Sequence, residues 1–400
     1  MPSTALYGTW KSPISAAMIA KQAISVAEVH VDPITKTIYH SEARPSEGGR
    51  IVPANTITEK DVFGKGWNAR TAVHEYGGAA LTIHDTTLYF TNFKSRRLYV
   101  IGQDGNPEPV SAGQCSSVIF VNSHFVVSIL EDHTHDVPAS VVNTLIAINT
   151  KTQALTTLAR GADFYSTPHF SPNGKLLSFI CWNHPNMPWE GSKLVLGLIN
   201  NRGGEVELIG PSFLASKEGK VSITQAQWVS NDVLVFFSDE SRFYNPWKYD
   251  NQSQLSSPIL PTPAGEEYAG LAWLLGILDM SVLDLSTVLV APLKMGLALL
   301  DVNTGALIKI KSPFVSIHAI HGISNKQVVF ISEQNNDASA IICLTLKSSA
   351  LSYFNNPTAD VDTEFETLKS TSDVTSIPPL LFPISLASHS RLSLTIDYYT

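Results

Sequence analysis

Two short stretches hold side chains whose types and spacing could do chemistry. Residues 73–78 read VHEYGG, so His74, Glu75 and Tyr76 stand in a row before two glycines. An imidazole, a carboxylate and a phenol within hydrogen-bond reach can take up and return a proton. Gly77 and Gly78 would let another backbone come close. Residues 182–189 read WNHPNMPW and follow the strand-like run KLLSFIC. A buried strand would not carry this mixture, and a solvated loop rarely spends two tryptophans. The rings suit the wall of a small-molecule pocket, with polar handles between them.

From these and neighbouring stretches come the candidates. His184, Tyr165, Glu75 and His74 are the groups for acid–base or hydrogen-bonding roles. Trp182, Asn183, Asn186, Met187, Phe164, Arg44, Glu131 and Trp273 are the groups for contact with a substrate. Each has a structural alternative. The tryptophans can cap a core, and the His–Glu–Tyr run can be a polar network that pins neighbouring elements. Glu42, Arg44, Glu47 and Arg50 can pair among themselves.

Metal chemistry is not expected. The run EDHTHD at 131–136 holds two histidines and three carboxylates, and it is the one place that invites a metal. His318 and His321 in SIHAIH are three apart, which in an uninterrupted strand sends them to opposite faces. Cys115, Cys181 and Cys343 are far apart and odd in number, which gives neither zinc spacing nor a disulfide framework. Lone buried thiols suit a reducing compartment, so the expected location is cytoplasmic.

The formal charge of −8 and the absence of a basic cluster denser than KSRR at 94–97 exclude a nucleic-acid partner. Charged residues make up only 16% of the chain, so much of the surface is neutral or apolar. The most apolar stretch, LAWLLGILDMSVLDLSTVLVAPL, is interrupted by Asp279 and Asp284. It reads as two buried strands rather than a membrane span. The N-terminus lacks a basic segment followed by an apolar one, so no secretory signal is expected.

The elements that must position these residues are strands. One helical candidate, SPISAAMIAKQA, lies near the start. Elsewhere short β-rich runs alternate with turns such as SPNG, NRGG and NTG. A unit of roughly 50 residues recurs, in the range of propeller blades. The expected fold is all-β: a β-propeller of about seven four-stranded blades over residues 20–355, within one domain spanning 1–400. The N-terminal segment and the C-terminal strands would pack on the ring or close it. This arrangement gathers the unusual loops at one mouth and leaves ordinary turns on the other face.

The loops also carry a family resemblance. YGTWKSPI, SEARPSEGGR, NARTAVHEYGG, EDHTHD, GADFYSTPHFSPNGK, WNHPNMPWEG and FFSDESRFYNPWKY resemble the propeller half of prolyl-oligopeptidase-like serine peptidases, of the dipeptidyl-peptidase or acylaminoacyl-peptidase type. The resemblance runs from about Tyr7 onward. It implies that EDHTHD has no metal role. It also implies a catalytic α/β-hydrolase domain, which this sequence does not contain, and no G-x-S-x-G elbow occurs in it. The sequence is therefore expected to lack peptidase activity. The place of the family's polar sixth-blade turn reads APLKMG, which is unusually apolar.

These features favour a cofactor-independent enzyme. A largely apolar small molecule in the central funnel would be steered through a cyclisation or isomerisation, of the pericyclase or Diels–Alder type, in a biosynthetic pathway. Such a step needs shape, desolvation and a few hydrogen-bond donors rather than a nucleophile. The alternative is a non-catalytic module that docks a peptide or protein partner.

Overall fold

A computed structural model describes residues 24–371 apart from 103–104, 112–116, 122–124, 136, 138–139, 203–204, 216–219, 335–336 and 357–359. The helical candidate near the start and the C-terminal tail lie outside the described residues. Within them the chain forms seven antiparallel sheets, each built from consecutive strands. Blade 1 has three strands, Ser25–Val31, Ile38–Arg44 and Arg50–Asn55. Blades 2 to 7 have four each and cover residues 81–109, 117–160, 164–215, 223–258, 280–309 and 316–370. The chain is a seven-bladed β-propeller. The last blade reaches Ser370, past the expected limit of 355, because the helix Ala350–Phe354 precedes its outer strand, Thr363–Ser370.

The innermost strand of each blade touches those of both neighbours, and the ring closes between blade 7 and blade 1. Two-sided burial drives this arrangement. Leu176–Trp182 is buried along its whole length. Leu177, Phe179 and Cys181 pack toward blade 3, while Leu176, Ile180 and Trp182 pack toward blade 5. Strand alternation thus feeds two cores from one strand. Seven apolar clusters among the described residues fill the seven interfaces between consecutive blades.

Two features depart from the sequence expectation. The apolar stretch is not two buried strands from its start. Strand begins only at Met280–Val282, and Leu271, Trp273 and Leu274 are nearly half exposed in an irregular segment before it. Second, a bulge between His318 and His321, with Ala319 at φ 53°, breaks the period of two. Both histidines therefore line the axial channel. The same irregularity recurs in the innermost strands of blades 4 and 5, at Thr167 (φ 50°) and Gln225 (φ 55°).

The seam between blades 7 and 1 is held by side chains. Lys369 on the outer strand of blade 7 pairs with Glu42 (3.0 Å) and Glu59 (3.2 Å). Glu42 also meets His40 (3.0 Å) and Arg44 (2.7 Å). The hydrogen bond from His40, then those from Arg44 and Lys369, outweigh burial and hold its carboxyl well below the usual range.

Acid should therefore unfold this ring in two stages. Burial pushes His74 and His169 down to about 4 and His321 down to about 3, from an ordinary 6.5. The unfolded chain binds protons at these sites first, so stability is lost as pH falls from about 6.5 toward 4. The loss is roughly 1–2 kcal/mol per histidine by pH 5. Glu42 contributes stability above its unfolded value near 4.5, and this is lost as pH falls further. Urea unfolding midpoints measured from pH 8 to pH 4 should fall below pH 6.5. A flat profile would contradict the neutral burial of these histidines.

Candidate functional site

The mouth is organised by one backbone approach. The irregular segment before blade 6 crosses the face of the ring and meets the loop that enters blade 2. Leu275 and Gly78 form a parallel β-bridge, and the Leu275 N–H donates to the Gly77 carbonyl (2.9 Å). A Cβ on Gly78 would lie 2.3 Å from the Leu275 carbonyl oxygen, and one on Gly77 would lie 2.4 Å from that of Thr71. Both glycines also have positive φ, 80° and 94°. The far end of the crossing segment is tied to blade 5. Gln225 donates to the Asp279 carboxylate (2.7 Å) and accepts the Asp279 N–H (2.6 Å), while the Gly270 N–H reaches the same carboxylate (3.0 Å). Burial raises the Asp279 pKa against these hydrogen bonds.

The segment Leu274–Ile277 lines two cavities at once. One is an axial channel of about 1400 Å³. The other is a mouth pocket of about 320 Å³ between the segment and the entrances of blades 2 to 5. Aromatic rings wall the pocket. Phe164 and Trp182 are partners in register and stack at 5.3 Å. His184 stands edge-on to Phe164 at 4.9 Å. Across the pocket Trp273 packs on Trp189 (4.3 Å) and Tyr76 (5.1 Å).

His74 sits edge-on to Phe164 (5.1 Å) and Trp182 (5.5 Å). Its φ is 53° and that of Glu75 is 71°, so two consecutive non-glycine residues are left-handed. Each such residue costs about 1–3 kcal/mol, and such strain gathers at functional sites. Three hydrogen bonds hold the loop: His74 N–H to Glu131 (2.7 Å), Glu75 N–H to Ala72 (3.0 Å) and Gly77 N–H to Val73 (2.8 Å). The Nε2 atom of His74 is buried and has no hydrogen-bond partner. Burial pushes the imidazole down to about 4, so it is neutral near pH 7.

Nine of the twelve candidates line this pocket: His184, Glu75, His74, Trp182, Asn186, Met187, Phe164, Glu131 and Trp273. Three do not. Tyr165 follows Phe164 and so points the other way, into the core between blades 3 and 4, where its phenol oxygen accepts the Ala162 N–H (3.0 Å). Asn183 folds back to accept the Asp163 N–H (2.8 Å) and fixes its own loop. Arg44 lies in blade 1, in an ion-paired cluster with Glu42, Asp61 and Glu47. Sequence reading left out Asn143, and it placed Asp163 at the mouth without a role. Asn143 pairs in register with Glu131 and donates to the Asp163 carbonyl (2.8 Å), while Asp163 accepts the His184 N–H (2.9 Å). The signal was an asparagine at the mouth end of the apolar strand Val142–Asn149. Among the described residues no group of three or more potential ligands could hold a metal ion. No helix there is long and apolar enough to cross a membrane.

No protein-family model matches the chain, and no curated protein does. Solved structures do. A Mycobacterium tuberculosis puromycin-hydrolyzing peptidase is 23% identical with TM-score 0.78, covering 92% of this chain and 57% of that one. Prolyl oligopeptidase B from Galerina marginata is 9% identical with TM-score 0.58, covering 88% and 51%. The chain has the propeller fold of these peptidases. It spans about half their length. An oligogalacturonate lyase in complex with manganese is 13% identical with TM-score 0.51, and there the match covers 82% of this chain and 97% of the lyase. Identities this low speak for the fold alone.

The glycine approach makes a sharp prediction. Gly78→Ala should cost more than about 2 kcal/mol, because its Cβ would lie 2.3 Å from the Leu275 carbonyl oxygen and 2.7 Å from the Leu275 nitrogen, both backbone. Gly48→Ala, also at positive φ but with nothing within 4 Å, should cost only about 1 kcal/mol. Urea unfolding of the two variants compares them directly. Equal losses would show that the crossing segment can move aside and does not define the pocket.

Proposed function

We propose that the mouth pocket binds a small molecule with a largely apolar body and steers it through a non-hydrolytic cyclisation or isomerisation. The observation that carries this reading is His74. A buried imidazole nitrogen with no partner costs about 1–3 kcal/mol, and the strained loop beneath it adds to that cost. A purely structural residue at this place would be better replaced by an apolar one. Held neutral between Phe164 and Trp182, His74 can accept a proton from a bound substrate or polarise a carbonyl as it donates. The aromatic walls exclude water and fix the reacting conformer. Rearrangement within one molecule needs nothing further. The lyase match offers a fold-level analogy for non-hydrolytic chemistry on a propeller that makes up nearly a whole chain.

A second reading has its own support. Leu271, Trp273, Leu274, Tyr76 and Leu293 are 45–75% exposed around the mouth. Such exposure also suits a docking face for a protein partner.

The test is incubation with a metabolite extract followed by native mass spectrometry, comparing the parent protein with His74→Gln and Trp182→Ala. Conversion of a retained metabolite into an isomer of equal mass is expected for the parent. His74→Gln should slow it at least 100-fold with little change in melting temperature. The parent rate should stay level from pH 8 to about pH 5 and fall as His74 takes a proton near 4. A His74→Gln variant as fast as the parent would remove His74 from the reaction. A co-purifying protein with no retained metabolite would favour the docking reading.

A further inference from the structure

The lining of the mouth pocket is unbalanced in charge. Glu75, Glu131 and Asp163 contribute carboxylates, and no lysine or arginine lines it among the described residues. Three imidazoles line it too: burial keeps His74 neutral near pH 7, His133 lies 3.4 Å from Glu131, and the backbone N–H of His184 is held by Asp163. Above the carboxylates stand the rings of Trp182, Phe164, Trp189, Trp273 and Tyr76, whose faces carry negative potential.

A second observation is independent of charge. Asn143 is only 4% exposed and lines the same pocket. Its Nδ2 is spent on the Asp163 carbonyl (2.8 Å), and its Oδ1 is buried with no hydrogen-bond partner. A carbonyl oxygen only accepts, so a ligand satisfies it only by bringing an N–H or O–H. A carboxylate or phosphate would bring no such donor, and it would meet three like charges in a site of low dielectric.

We propose that the ligand of the mouth pocket is an organic amine, whose ammonium head donates to Asn143 Oδ1 beside Glu75 and Glu131 and whose flat apolar body lies among Trp182, Phe164 and Trp273. The proposal rests on the pocket being a small-molecule site. Glu131 accepts the His74 N–H through one oxygen and meets His133 Nε2 at 3.4 Å through the other, so it is fixed in place as the deeper carboxylate. Glu75 is exposed at the rim and is the carboxylate whose charge can be removed without disturbing packing.

Three indoles of similar size separate the possibilities: tryptamine, 3-ethylindole and indole-3-propionate, titrated calorimetrically against the whole chain at pH 7.5. Tryptamine should bind at least tenfold more tightly than indole-3-propionate, with 3-ethylindole between them. Glu75→Gln should reduce the ratio of tryptamine to 3-ethylindole affinity severalfold. Asn143→Leu, which removes the acceptor oxygen, should also lower that ratio, and an unchanged ratio in both variants would overturn the amine proposal. Indole-3-propionate binding as tightly as tryptamine would overturn the amine proposal and leave the small-molecule reading standing. Binding of none of the three would overturn both.

Discussion

The close passage of the Leu275 backbone over Gly77 and Gly78 is the contact on which the mouth depends. A propeller of this size leaves an open axial channel, and a ring of strands alone would give a wide shaft lined by alternating side chains. The bridge at Gly78 brings an irregular, apolar segment across that shaft and divides it. Only then do Trp273 and Trp189 come within 4.3 Å, and only then does Trp182 face an opposite wall. A side chain at Gly78 would push the segment away, because the atoms it would strike are Leu275 backbone, and one at Gly77 would strike the Thr71 backbone and displace the loop that receives the segment. The pocket is therefore a property of two blades' connections meeting, and no single blade contains it.

The anchoring of that segment shows why the inner strands are irregular. Gln225 can reach Asp279 because a left-handed residue interrupts its strand and turns its side chain inward. Thr167 and Ala319 occupy comparable positions in blades 4 and 7. Each bulge costs regular pairing and gains a side chain aimed at the axis. Repetition in several blades makes the axis a place where polar groups converge, although the blades themselves are packed by apolar residues.

Blade architecture was legible because each strand buries two faces, which leaves apolar runs separated by turn residues at a steady spacing. The mouth loops were legible for the converse reason, since VHEYGG and WNHPNMPW fit neither a core nor a solvated surface. What escaped was direction. Phe164 and Tyr165 are adjacent and equally aromatic, and only strand alternation decides that Phe164 meets the pocket and Tyr165 the core. His318 and His321 escaped through a bulge that no turn residue announces. The segment from Leu271 to Leu278 looked like a buried strand because hydropathy cannot tell a core strand from a strap over a pocket. Asn143 was hidden inside an ordinary strand, and its meaning lies in the unpaired oxygen rather than in its type.

Two histidines beside carboxylates differ in what the carboxylate bonds. In blade 1, His40 bonds to Glu42 directly at 3.0 Å, with Arg44 and Lys369 on the same carboxylate, and the cluster is a structural one. At the mouth, Glu131 is just as close to the His74 residue, but the bond it accepts comes from the His74 backbone rather than from the ring. The ring is left among the edges and faces of Phe164 and Trp182, where nothing compensates the loss of water. Desolvation then governs, and the imidazole stays neutral beside an acid. A carboxylate that holds the backbone of a strained loop, while its charge does not reach the ring through a hydrogen bond, preserves a base in the form that can accept a proton. The other oxygen of the same carboxylate meets His133 at 3.4 Å, so one acid joins two loops of the mouth while the His74 ring stays outside its hydrogen bonds.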